Sequence, residues 1–249
     1  FDAMTDTPEL IYRVNLDELR LDLTLGGDAR FTTTRRVPIT HAYPRLDVRY
    51  TLDGTPPTAD DPRYTAPLNL TETTTVTARL FTPEGAPRSR VVERTYRRVT
   101  PHPARAAGGN TPGLRYSYFE GAFERLPDVD TLTAVRQGAA TTFDVAALAD
   151  RDDHYAITYE GLIEVPTTGV YTFYTHSDDG SRLRIHGETV VDNDGSHSLR
   201  TRSGAIALEA GWHPIRVDYF DDYAGQELRV TLQGPDGRAQ PVSAAMLSH

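Results

Sequence analysis

Ser177, Asp178, Asp179 and Gly180 place two carboxylates side by side between two strand-like stretches, "YTFYTH" and "SRLRIHG". Two kinds of chemistry fit that spacing. Aspartates can accept backbone N–H groups at a tight corner while Gly180 takes a positive φ, which makes the pair a turn. Adjacent like charges also repel, and a hard cation with oxygen ligands relieves that repulsion, which makes the pair half of a calcium site. The remaining donors would come from a second acidic stretch, "YFDDYAG" (219–225), through Asp221, Asp222 or carbonyl oxygens near Tyr223 and Ala224. A third, "VVDNDGSH" (190–197), carries Asp192, Asn193 and Asp194, but Gly195 makes it read as a hairpin turn. No D-x-[DN]-x-[DN]-G pattern is present, so this is not an EF-hand.

Catalysis is a poor fit to the same residues. Glycosidic hydrolysis needs two carboxyl groups facing each other across about 5 to 9.5 Å, one of them kept protonated. Neighbouring acids on one corner do not provide that. His176, His186, His197 and His213 lack H-E-x-x-H spacing and read as structural, and neither Ser177 nor Ser181 sits in a G-x-S-x-G elbow. The chain is expected not to be an enzyme by itself.

The elements that must hold these loops are strands. Between turns of Gly, Pro and Asp lie short β-favouring runs at 16–24, 31–36, 46–52, 74–81 and 91–99. Val48, Tyr50 and Leu52 share one face at period two, as do Val76, Ala78 and Leu80. "TPHPARAAGGNTP" has no periodicity and reads as a linker. Beyond it Tyr155, Ile157 and Tyr159 alternate with Ala156, Thr158 and Glu160; Ile215, Val217 and Tyr219 oppose Arg216, Asp218 and Phe220; Leu228, Val230 and Leu232 repeat the pattern. Helical turns are conceivable only at 144–153 and 241–247. The pattern predicts an all-β chain of two β-sandwich domains, 1–99 and 113–249, joined by a Pro/Ala/Gly linker at 100–112.

Composition narrows the partners. The 249 residues carry 26 basic and 35 acidic side chains, a formal charge of −9, and every basic residue is arginine. Such a field opposes nucleic acid and anionic membranes. Without lysine there is no side-chain Schiff base, and without cysteine no disulfide, thiolate or cysteine zinc site. No run is long and apolar enough for a membrane span. The start, "FDAMTDTPELIYRVN", reads as a piece of a longer chain.

Several ordered motifs carry a resemblance. "GLRYSYFEG" (113–121), "YEGLIEVPTTGVYTFYTHSDDGSRLRIHGETVVDNDGSH" (159–197) and "SGAIALEAGWHPIRVDYF" (203–220) resemble the protective-antigen-like β-sandwich, a family named after the anthrax toxin component and present in bacterial glycosidases and yeast adhesins. In its sugar-binding members the paired acids bind calcium, often through a cis peptide, and calcium touches sugar hydroxyls. The resemblance therefore implies calcium at Asp178, Asp179, Asp221 and Asp222, and sugar contacts at Asp178, Asp179, Asp222 and Tyr223. The family's Asn ligand has no Asn counterpart in "DDYAG", where Asp222 is the substitute oxygen donor. Tyr118 and Tyr174 are further candidates for stacking on a sugar, or for the core, and Trp212 for a structural anchor.

"VRYTLDGTPPTADDPRYTAPLNLTETTTVTARLF" (48–81) is similar to the small sandwich near the C-terminus of chitobiases and β-N-acetylhexosaminidases. The order of the two domains is similar to the C-terminal end of family 20 glycoside hydrolases, whose catalytic TIM barrel has no counterpart in these residues. The resemblance implies a non-catalytic carbohydrate-binding accessory region of a secreted bacterial enzyme, periplasmic or at the cell surface. Its expected partners are a glycan containing N-acetylglucosamine and the chain's own catalytic barrel. The alternative is a structural spacer or protein-interaction module packed on that barrel, without sugar binding of its own.

Overall fold

The computed structural model describes residues 21–27, 29–106 and 111–249. The strand expected at 16–24 lies partly outside them. The chain divides into two compact units, 1–99 and 100–249. Both are built from strands, as the alternation requires.

In the first unit β1 (Leu23–Leu25) pairs β4 (Ile39–His41), and β3 (Arg35–Val37) pairs β6 (Leu68–Leu70). A four-stranded sheet runs β2 (Arg30–Phe31), β8 (Val92–Arg98), β7 (Thr74–Phe81), β5 (Asp47–Thr51). Val76, Ala78 and Leu80 are fully buried on one face of β7, beside Val48, Val37 and Tyr96. Leu52 departs from the expected face. β5 ends one residue earlier, and the side chain is 47% exposed.

The second unit contains a seven-stranded and a four-stranded sheet. The larger runs β10 (Arg136–Ala140), β9 (Leu114–Glu120), β11 (Tyr155–Val165), β16 (Gly211–Asp221), β13 (Ser181–Ile185), β14 (Glu188–Asn193), with β19 (Leu247–Ser248) added to β11. The smaller runs β15 (Arg200–Leu208), β12 (Gly169–Asp178), β17 (Glu227–Gln233), β18 (Ala239–Pro241). Tyr171, Phe173, Val230 and Leu232 from the smaller sheet pack with Ile157, Tyr159, Leu183, Ile185, Ile215 and Val217 from the larger. Each such side chain contributes about 1.5–3 kcal/mol of burial free energy, an upper bound because unfolded chains are not fully extended.

One face of β11 is buried as the period-two pattern demands, but Ala156 and Thr158 on the other face are buried too. Phe119, Ala156 and Phe220 form a small outer core beneath Phe123, Leu126, Val129 and Ala134 of the β9–β10 connection. The two stretches with helical potential contain no α-helix. Residues 144–153 form turns and bends, and 244–246 one 3₁₀ turn. Among the described residues no helix is long and apolar enough to cross a membrane.

Residues 100–105, at the start of the stretch read as linker, lie along the second unit. His102 N donates to Ala207 O (2.8 Å), Glu209 N to His102 O (3.0 Å), and Arg105 N to Trp212 O (2.8 Å).

Candidate functional site

The acidic corner is where the chain passes from one sheet to the other. β12 belongs to the four-stranded sheet and β13 to the seven-stranded one, so Asp178, Asp179 and Gly180 bridge them at one end of the sandwich. The Asp178–Asp179 peptide is cis. Gly180 is needed for space and not for a positive φ, contrary to the turn expectation: a Cβ there would lie 2.3 Å from a ring carbon of Phe220 and 3.0 Å from the backbone N and O of Gly195. Beneath the corner the hydroxyls of Ser177 and Ser181 meet at 2.8 Å, and Asn193 Nδ2 donates to Ser177 Oγ at 3.0 Å, all three side chains being buried.

Asp179 is 2% exposed and ties three segments together. Its Oδ1 accepts His197 N (2.7 Å) and Ser196 Oγ (3.1 Å); its Oδ2 accepts Asp222 N (2.8 Å) and Tyr223 N (3.3 Å). The end of the stretch read as a hairpin turn, 190–197, therefore closes on the acidic corner. Asp178 is half-buried, and burial first, then the Asp179 charge, hold its carboxyl above the ordinary range. A Cβ on Gly225 would lie 2.5 Å from Asp178 Oδ2, so this glycine leaves the carboxylate its room.

Asp221 is the unusual member. It is 0% exposed, its Oδ1 is 3.4 Å from the Tyr219 hydroxyl, and its Oδ2 is buried with no hydrogen-bond partner. Burial, then the charges of Asp179 and Asp153, push its carboxyl up to about 7. Asp153 was not singled out in the sequence. Its Oδ1 accepts Ala224 N at 3.0 Å, which brings it to the same loop. The signal was one of register: β11 and β16 pair from Tyr155↔Asp221 to Val165↔Gly211, so "RDDH" must end beside Asp221.

The remaining sequence-predicted residues divide. Asp222 uses its backbone N–H on Asp179, while its carboxylate lies 3.9 Å from His154 Nε2. Tyr223 is 70% exposed and meets the His154 ring edge-on at 6.0 Å. Tyr118 is a core residue, and the half-buried Tyr174 hydroxyl donates to Gln233 Oε1 at 3.0 Å. Among the described residues no three His, Cys, Asp or Glu side chains are gathered closely enough to hold an ion by themselves. The buried, unpartnered Asp221 oxygen among like charges nevertheless suits a hard cation, whose shell of about six to eight oxygens can include carbonyls and water.

A two-sheet sandwich with acidic loops gathered at one end is the class of protein that this geometry defines. The PA14 domain model matches residues 110–244, more than half of the sequence, and the chain belongs to the PA14 domain family. The model of the chitobiase/beta-hexosaminidase C-terminal domain matches residues 26–93. A beta-hexosaminidase of Porphyromonas gingivalis is 24% identical over 237 residues, covering 87% of this chain. The chain spans only 29% of that relative's length. The anti-sigma-I factor RsgI3 of Acetivibrio thermocellus is 38% identical over 69 residues, 27% of this chain and 11% of that one. Among solved structures, a PA14 sugar-binding domain from an RTX adhesin is 20% identical with a TM-score of 0.46, covering 56% of this chain and 99% of the other.

Proposed function

We propose that the chain is a non-catalytic, carbohydrate-binding accessory region of a secreted bacterial β-N-acetylhexosaminidase-like enzyme, with calcium held at the acidic corner. The observation that carries this reading is the buried, unpartnered Asp221 Oδ2 among the charges of Asp178, Asp179 and Asp153, on the loop that also presents the exposed ring of Tyr223. Asp178 and Asp221 would hold the cation together with backbone carbonyls, and Asp179 would position the loops. Bound calcium would supply positive charge and open coordination positions for sugar hydroxyls. Tyr223 offers an apolar face to a pyranose ring, and Asp222 an acceptor for a hydroxyl. Membership of the PA14 family, the chitobiase-type match and the beta-hexosaminidase relative all support a place next to a catalytic barrel that binds N-acetylglucosamine-containing glycans. The net charge of −9 opposes nucleic acid as a partner.

A second reading has its own observation. Both Asp179 oxygens are already occupied by N–H and O–H donors, which is what a purely structural corner would show. In that case the two units are spacers packed on the parent enzyme. Calorimetric titration with calcium, then with N-acetylglucosamine and chitooligosaccharides, separates the two. Calcium-dependent sugar heat that disappears in Asp178→Ala is the expected result; sugar affinity unchanged in that variant would overturn the binding assignment.

A further inference from the structure

At the other end of β13 from the acidic corner, three imidazoles lie in a row. His102 comes from the segment that enters the second unit, His186 from the β13–β14 turn, and His213 from β16. The His102 and His186 rings stack at 5.1 Å with 18° between planes, and His186 meets His213 at 5.1 Å and 68°. His213 is 0% exposed.

The hydrogen bonds fix where the ring protons sit. His213 Nε2 is 2.8 Å from Glu209 O, and a carbonyl can only accept, so Nε2 carries the hydrogen. Neutral His213 then presents a bare Nδ1, and His186 Nε2, 2.8 Å away, must donate to it. His186 and Gly187 have φ of 52° and 80°, the two-residue turn that favours Asn, Asp or Gly at both positions. A histidine at the first of them gains from its side chain what the backbone position withholds.

Charged and titratable groups surround the row. The Glu188 carboxylate is 3.3 Å from His102 Nε2, Arg105 adds positive potential at His186, and Glu209 flanks His213 through both its carbonyl and its carboxylate. A first added proton goes to the bare Nδ1 of His186, which leaves its Nε2–H donating to His213 and places a half-buried cation near His102 and Arg105. A second proton sets two N–H groups against each other. We propose that the His102–His186–His213 row is an acid-sensitive latch that holds residues 100–105 on the second unit at neutral pH and releases them in mild acid.

Burial first holds the titration of both His186 and His213 below the ordinary imidazole range. At His186 and His213 the latched form thus binds fewer protons than the released one. Latching is at full strength above the usual imidazole value of about 6.5 and is lost as pH falls through it.

Hydrogen–deuterium exchange of the whole chain at about pH 7.5 and about pH 5, corrected for intrinsic exchange, tests this. The amides of His102 and Arg105 should lose roughly tenfold in protection in acid while β12 and β17 keep theirs. His213→Gln preserves a donor and an acceptor without titrating, and His186→Asn suits the turn if the buried variant does not fold. In each the ratio of protection between the two pH values should fall to near one. A wild-type ratio near one, or the wild-type ratio persisting in the variants, would overturn the latch.

Discussion

Two Asp-Gly corners in this chain use the same residue types to opposite ends. In the first unit Asp53 precedes Gly54 (φ 86°), and its Oδ1 accepts Thr55 N at 3.0 Å and Thr55 Oγ1 at 2.6 Å. The Thr55 hydroxyl, then its amide, draw that exposed carboxyl below its ordinary range. Asp61 repeats the device with Thr58 N at 2.7 Å and Thr58 Oγ1 at 2.8 Å. These donors lie two or three residues away, so such a turn is complete in itself. In the second unit the donors to Asp179 come from 17, 18, 43 and 44 residues away. They satisfy Asp179 and leave Asp178 and Asp221 raised by burial and by like charge. A locally closed carboxylate makes a turn; one closed only by the fold can leave unsatisfied charge for a ligand.

The largest effect that would sharpen this contrast belongs to Asp179. Asp179→Ala removes the shared acceptor of four part-buried donors from two other segments and should destabilise the protein by about 3–5 kcal/mol, read as a lower midpoint in urea denaturation. A loss within about 0.5 kcal/mol would mean that Asp179 does not tie the loops. Asp178→Ala should separate binding from folding. Calcium affinity should fall at least about tenfold with the circular dichroism spectrum unchanged, because this carboxylate is half-buried and stands beside Asp179. Wild-type calcium heat in that variant would make the corner a turn after all.

Asp221→Asn tests the same point from the opposite direction. Removing a buried charge whose Oδ2 has no partner should stabilise the chelator-treated protein by about 1–2 kcal/mol and abolish the calcium-dependent stabilisation expected of the wild type. Lower stability of this variant in chelator would show that the carboxylate is satisfied without a cation. Tyr223→Ala should be milder. The ring is 70% exposed, so stability should be nearly unchanged while sugar affinity falls roughly tenfold, as the loss of one aromatic face implies.

The contrast also explains how far the sequence could be read. Period-two faces such as Val76, Ala78 and Leu80, or Ile215, Val217 and Tyr219, identify strands because alternation is a local consequence of the pleat. Asp178 and Asp179 stood out for the same reason, as carboxylates interrupting a strand pattern. Asp153 did not, because its place follows from the pairing of Tyr155 with Asp221 in β11 and β16, a relation between segments. The stretch at 190–197 is legible as a turn, but not as the donor of His197 N and Ser196 Oγ to Asp179. Gly180 was read for a φ that it does not adopt, since only the approach of Phe220 and Gly195 shows why a side chain is excluded. Leu52 is grouped on one face with Val48 and Tyr50 because periodicity cannot show where β5 stops.

The smallest effect belongs to the locally closed corner and completes the comparison. Asp53→Ala removes one acceptor, but Thr55 N and its hydroxyl are at the surface and can turn to water. Gly54 keeps its positive φ without the aspartate, so the turn itself should persist. The expected result is a slight fall in Tm with calcium and sugar titrations identical to wild type. Any change in those titrations would mean that the local closure of Asp53 does not isolate it from the acidic corner, and the rule separating the two corners would fail at its simplest case.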